Sequence, residues 1–138
     1  MPNFPITDVI NDIPLISIVD VGAMRSDPRR YQTLLDRGLA RLVGFEPRLD
    51  AMEKLESSES ELYLPHAIGN GLHRTFYECR HGGCSSTYKP SSSYIDSFTS
   101  IGTNGDANFE VVGSAPIKTI RLDEIEQIVG ADFLYIDV

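Results

Sequence analysis

The sequence has no tryptophan and only two cysteines among its 138 residues. Cys79 and Cys84 flank Arg80-His81-Gly82-Gly83. With His81 between them and His73 nearby, they lack both the spacing and the second ligand pair of a zinc site. They read as free, reduced thiols, since disulfides are rare in cytosol. No apolar run approaches about 18 residues, so no spanning helix is expected. The opening "MPNFPITDVINDIP" has no Lys or Arg, so it lacks the basic start of a secretory signal. A cytoplasmic location is therefore expected. Positive charge is also scarce: 12 Lys and Arg face 20 Asp and Glu, for a net charge of −8. That balance argues against nonspecific binding to nucleic acid or an anionic membrane. Arg25, Arg29 and Arg30 come nearest to a basic patch, and they read as a solvated helix face.

What is present points to one α/β domain over residues 1–138, with 1–14 as a lead-in segment. Pro2, Pro5 and Pro14 discourage a long helix there. "LISIVDV" (15–21) is almost continuously apolar up to Asp20, as a strand covered on both faces would be. Asp27 and Pro28 then predict a helix start. Tyr31, Leu34 and Leu35 give that helix one apolar face, and Gly38 a stop. "LVGFE" (42–46) is a second buried strand. Asp50 with Glu53 resembles a capping box for a short helix. "ELYLPHAIGNG" supplies a third strand and its exit loop. This β-α-β-α-β order predicts a parallel sheet with right-handed crossovers.

Beyond it, "HRTFYECR" alternates like an antiparallel edge strand. Residues 85–108 form a long polar segment, and "FEVVGSAPIKTIRL" is extended chain interrupted by Gly113 and Pro116. "DEIEQIVG" predicts a short helix with a second capping box, Asp123 with Glu126, and Gly130 as its stop. "ADFLYIDV" predicts another buried strand.

In an open parallel sheet, ligands bind beyond the carboxyl ends of the strands. Asp20, Glu46 and Asp137 all fall at such ends, which places three acids at one rim. Gly22 allows a tight turn after the first strand. Glu46 lies 26 residues after Asp20, where a carboxylate accepts hydrogen bonds from adjacent ribose hydroxyls. The nucleotide could belong to NAD or to S-adenosylmethionine. The first needs a glycine-rich turn for its pyrophosphate. Here Gly22-Ala23-Met24-Arg25-Ser26-Asp27 offers one glycine and an acid that would repel phosphate. S-adenosylmethionine is phosphate-free and carries an ammonium and a sulfonium, both attracted to acids, so local charge favours the methyl donor. Ala67 and Ile68, after His66, could line an adenine pocket. His66 is a weaker candidate for a general base.

"VDVGA", "GFEP", "PHAIGNG", the pair Ser85-Ser86, "IKTIRLDEI" and "DFLYIDV" occur in the order seen in FkbM-type methyltransferases. The chain resembles the N-terminal part of such an enzyme over roughly residues 15–138. The resemblance implies a Rossmann-like class I methyltransferase sheet, mostly parallel and incomplete at the C-terminus. It implies methyl transfer from S-adenosylmethionine to an acceptor hydroxyl on a small molecule, sugar or lipid-like compound. Donor contacts would come from Asp20, Gly22, Ala23, Glu46, Ala67 and Ile68. Asp137 would lie beside the transferring methyl, and Ser85 and Ser86 would line the donor or acceptor site. Family members continue past this acid, so the chain reads as a fragment that could be inactive. Its strand 133–138 would then form an apolar edge able to pair with a second copy. A noncatalytic nucleotide-binding or interaction domain is the alternative, with an NAD-linked oxidoreductase third.

Overall fold

The computed structural model describes residues 14–24, 29–98, 101–103 and 105–138. Four strands build the main sheet: β1 (Ile16–Val21), β2 (Ala40–Phe45), β3 (Glu61–Leu64) and β7 (Phe133–Ile136). Their order is β3-β2-β1-β7, and all three pairings are parallel. The continuous apolar run of β1 has its physical reason here, because both faces are covered. Ile18 packs with Tyr31, Leu35, Leu42 and Tyr63 on one face. Val19 and Val21 pack with Phe45 and Ile125 on the other. The fold is thus α/β with a parallel four-stranded sheet, compatible with a Rossmann-like architecture.

Register decides what reaches the rim. Val21 stands level with Phe45 and with Ile136, and Phe45 with Leu64. Gly22, Glu46 and Asp137 therefore leave the sheet at the same height. Among the described residues β7 is an edge strand, paired with β1 alone, and Leu134 and Ile136 are 47% and 58% exposed.

A second sheet has the order β4-β6-β5, built from β4 (Ala67–Ile68), β5 (His73–Cys79) and β6 (Val111–Ile120). β5 runs antiparallel to β6, as its alternation suggests, and β4 runs parallel to it. Gly113 and Pro116 do not interrupt β6. Pro116 sits opposite Thr75 on β5, while β4 reaches only Thr119 and Ile120. The missing proline N–H therefore faces no neighbouring strand and costs no ladder bond. In the polar segment 85–108, the one helix among the described residues is α3 (Ser92–Ile95).

The helices are shorter than the periodicity implied. The expected helix start at Asp27 and Pro28 lies outside the described residues. The described α1 runs Gln32–Asp36. It ends where expected: Gly38 has φ +66°, with Gly38 N–H donating to Leu35 O and Leu39 N–H to Leu34 O, each at 2.9 Å. That is the paired-bond C-terminal motif that favours glycine.

Neither capping box forms. In α2 (Leu49–Met52) the cap position is Arg48, with no side-chain cap. The Asp50 carboxylate binds the Arg48 guanidinium at 2.6 Å instead. The predicted helix after residue 122 is only a 3-10 turn, Leu122–Glu124. Arg121 takes the Asp123 carboxylate at 2.8 Å, and Ile125 turns into the core. Gly130 keeps φ +67° but ends no helix. Among the described residues, no helix is long and apolar enough to cross a membrane.

Candidate functional site

A cavity of about 500 Å³ opens beyond the carboxyl ends of β1, β2 and β7, between the main sheet and the segments 66–76 and 81–88. That volume falls within the roughly 300–1,000 Å³ of small-molecule sites. Gly22, Glu46, Ala67, Ile68, Ser85, Ser86 and Asp137 all line it, as does His66. The structure thus gathers most of the sequence-derived candidates around one space.

Glu46 is 5% exposed. Its Oε1 accepts the Arg48 backbone N–H at 2.8 Å, a local bond that spans Pro47. Burial raises the pKa of Glu46 above the usual carboxylate range, and the Arg48 N–H and guanidinium partly oppose the rise. Across the cavity, Ala67 and Ile68 are held by parallel pairing with Thr119 and Ile120. Asp137 is exposed and receives the Tyr135 hydroxyl at 3.3 Å. Its backbone N–H donates to Val21 O at 3.0 Å. Gly22 has φ +89°, and a Cβ there would come within 2.3 Å of Asp137 O. This glycine therefore permits both the turn and the close approach of the strand that carries Asp137.

The serines have more local roles than a substrate contact requires. Ser85 Oγ accepts the Cys79 backbone N–H at 3.0 Å. Ser86 pairs with Tyr77 through two backbone hydrogen bonds. Both remain half-buried in the cavity wall. Cys79 and Cys84 are unpaired, and the Cys84 Sγ lies 3.8 Å from His81 Nδ1.

Two candidates do not line the cavity. Ala23 is 2% exposed within the core cluster of Ile18, Tyr31 and Leu35. Its N–H shares Phe45 O with that of Gly22, so its role is to seat the turn. Asp20 is 3% exposed and lies on the same sheet face as Tyr31, whose hydroxyl donates to its Oδ2. Oδ1 has no partner among the described residues. Burial raises the Asp20 pKa, the Tyr31 hydrogen bond and Arg29 oppose this, and Asp137 adds to it. A buried carboxylate oxygen without a donor is costly, by about 1–3 kcal/mol or more. It marks a position where a cationic or hydrogen-bonding group would be favourable.

Arg29 is not part of a solvated face. Its guanidinium binds Glu61 at 2.9 Å, Gln32 and the Tyr63 hydroxyl, and lies over the Tyr31 ring. Arg30 is exposed, whereas Arg25 lies outside the described residues.

Sequence reasoning missed Met24, Arg48, Arg74 and Phe76, which also line the cavity, as does His81, weighed there only beside the cysteines. Arg48 follows the "GFEP" stretch, so its place beside Glu46 was available from the motif. Arg74 and Phe76 share one face of β5 through strand alternation. No local signal in the sequence tells which face meets the cavity. No family model matches the chain, and no curated protein or solved structure is significantly similar to it.

Proposed function

We propose that this chain is the donor-binding part of an S-adenosylmethionine-dependent methyltransferase of the FkbM type, acting on a hydroxyl acceptor. The observation that carries this reading is the buried Glu46 carboxylate. It stands at the end of a central parallel strand, with one oxygen fixed by a backbone N–H, in a cavity whose facing wall carries apolar Ala67 and Ile68. A carboxylate so placed suits the paired hydroxyls of a ribose, and the apolar wall suits an adenine.

The remaining charges fit a cationic, phosphate-free nucleoside. Glu46 and Asp137 place two negative charges at the cavity, and Asp20 lies buried behind it with an oxygen unsatisfied among the described residues. A pyrophosphate would meet these acids and a turn with a single glycine, which disfavours an NAD-linked oxidoreductase. When bound, the donor would supply an electrophilic methyl group on a sulfonium. Glu46 would hold the ribose, and Ala67 with Ile68 would flank the base. Asp137 would orient the acceptor hydroxyl and take its proton as the new carbon–oxygen bond forms.

Isothermal titration with S-adenosylhomocysteine tests the reading. The expected outcome is saturable one-site binding, with NAD giving none. Glu46→Gln keeps the size of the side chain but loses its charge, and should weaken binding about tenfold, the worth of one charged hydrogen bond. Absence of binding by the wild-type chain, or equal affinity in the variant, overturns the proposal. Binding of NAD instead would favour the oxidoreductase.

A further inference from the structure

We infer that the β5 side of this cavity is an anion site, and that the acceptor carries a carboxylate or phosphate group beside its reacting hydroxyl. The inference rests on the methyl-transfer reading for the word acceptor, but the site itself stands on separate observations. Arg29, Arg48, Arg80 and Arg121 each bind a carboxylate of the protein. The Arg74 side chain has no hydrogen bond or ion pair among the described residues, although the chain carries a net charge of −8. It projects from β5 on the same face as Phe76, and both line the cavity.

A second cation meets the same space. Arg48 lines the cavity with its side chain 15% exposed. One end of its guanidinium binds Asp50, Nη1 lies 3.9 Å from the Met24 sulfur, and the buried Nε–H has no acceptor among the described residues. Its guanidinium lies directly against Gly82, where a Cβ would come within 1.7 Å of Nη1. His81 lies over the next residue, with Cε1 3.3 Å from the position of a Cβ on Gly83. The two glycines thus let Arg48 and His81 approach the same loop, where the Met24 side chain also lies against Arg48 and Gly83. Arginine recognises carboxylates and phosphates through planar, paired N–H donors. An anionic group here would partner the idle Arg74 guanidinium, with the positive charge of Arg48 at the cavity wall adding to the attraction. The acids of the cavity, Glu46 and Asp137, belong to the opposite wall at the ends of β2 and β7. Arg74 on β5 thus faces a main-sheet wall that carries the carboxylates suited to a cationic donor together with Arg48, which follows Glu46 by two residues.

The test is a titration of the 15N-labelled chain with inorganic phosphate and, separately, with sodium acetate at constant ionic strength, followed by amide NMR. The expected result is saturable shifts centred on residues 81–87 with at least one of the two anions. Acetate as the stronger ligand would assign a carboxylate acceptor, and phosphate a phosphorylated one. Arg74→Gln, at an exposed position that the fold does not need, should weaken binding about tenfold. No saturable shift at tens of millimolar, or shifts unchanged in Arg74→Gln, overturns the inference. S-adenosylhomocysteine added to the same samples keeps the two proposals separate. Its binding without an anion response removes the anion site alone, and an anion response without its binding removes the donor reading alone.

Discussion

Replacing Asp20 with asparagine should make the protein more stable and a poorer ligand binder at the same time. The carboxylate is 3% exposed, takes one hydrogen bond from Tyr31, and leaves Oδ1 without a partner among the described residues. Asparagine keeps an oxygen for the Tyr31 hydroxyl and removes the buried charge, while its NH2 group takes the unpartnered place of Oδ1, so the gain comes from the charge alone. An unsatisfied buried acceptor costs about 1–3 kcal/mol, more when it is charged. Loss of attraction to Arg29 offsets part of that gain. The net expectation is a stabilisation of about 1–2 kcal/mol at pH 7.

The sign with pH follows from burial. Because burial raises the folded-state pKa of Asp20, the folded protein holds this proton more tightly than the unfolded chain does. Below the unfolded value of about 3.9, both states are protonated and the penalty vanishes. It grows as pH rises through the folded pKa and is then constant. The stability difference between Asp20→Asn and wild type should therefore be near zero in strong acid and reach its full size towards neutrality. Urea melts across this range measure it directly, as a midpoint shift of about 0.5–1 M at pH 7. Calorimetry with S-adenosylhomocysteine supplies the second arm, where binding should weaken about tenfold if Oδ1 serves a donor cation. A variant less stable than wild type at neutral pH, or a difference indifferent to pH, would refute the reasoning about the orphaned oxygen.

Gly22→Ala combines a left-handed backbone with a Cβ only 2.3 Å from Asp137 O. It should cost about 2–5 kcal/mol, from roughly 1–2 for the conformation and 1–3 for the overpacking. Urea denaturation monitored by circular dichroism checks this, and a loss below about 1 kcal/mol would mean that β7 does not pack against the turn. The exposed apolar edge of β7 should pair with a second copy at tens of micromolar, giving a dimer in sedimentation velocity. Leu134→Lys should return it to a monomer, since edge charges block strand pairing. A monomeric wild type contradicts that expectation.

The parallel core was readable because its signal is physical and local. β1 and β2 are covered on both faces, so their apolar runs needed no knowledge of the rest of the chain. The same runs ended in Asp20 and Glu46, and strand direction alone brought these ends to one rim. Helix boundaries failed for an equally specific reason. Asp50 and Asp123 have the spacing of capping residues, but Arg48 and Arg121, each two positions earlier, offer their carboxylates a charged partner. Arg29 was misread for want of tertiary information, because Glu61 and Tyr63, its partners, lie 32 and 34 residues away. The β5 wall of the cavity belongs to the same class. Which face of β5 meets the main sheet depends on β6, whose pairing with β5 joins residues such as His73 and Lys118.

Asp20 and Glu46 are the acids among the buried polar residues described, and both stand at the ends of central strands. A fold selected for stability alone has no use for them, since an apolar side chain at either position would avoid the desolvation that raises both pKa values. Glu46 recovers part of that cost through the Arg48 N–H, and Asp20 through Tyr31. For Asp20 the second oxygen stays unpartnered among the described residues. Departures from local consistency of this kind concentrate where a ligand completes the interaction. The completing group must be cationic or rich in hydroxyl donors, because each site has an acceptor to fill. That requirement links the two residues although only one of them lines the cavity. A ligand that satisfies Asp20 should stabilise the wild type more than it stabilises Asp20→Asn, because binding shifts unfolding in proportion to the logarithm of affinity. A ligand that touches only Glu46 should stabilise both equally. The comparison thus separates a site that uses both acids from one in which Asp20 serves only to hold Tyr31 in place.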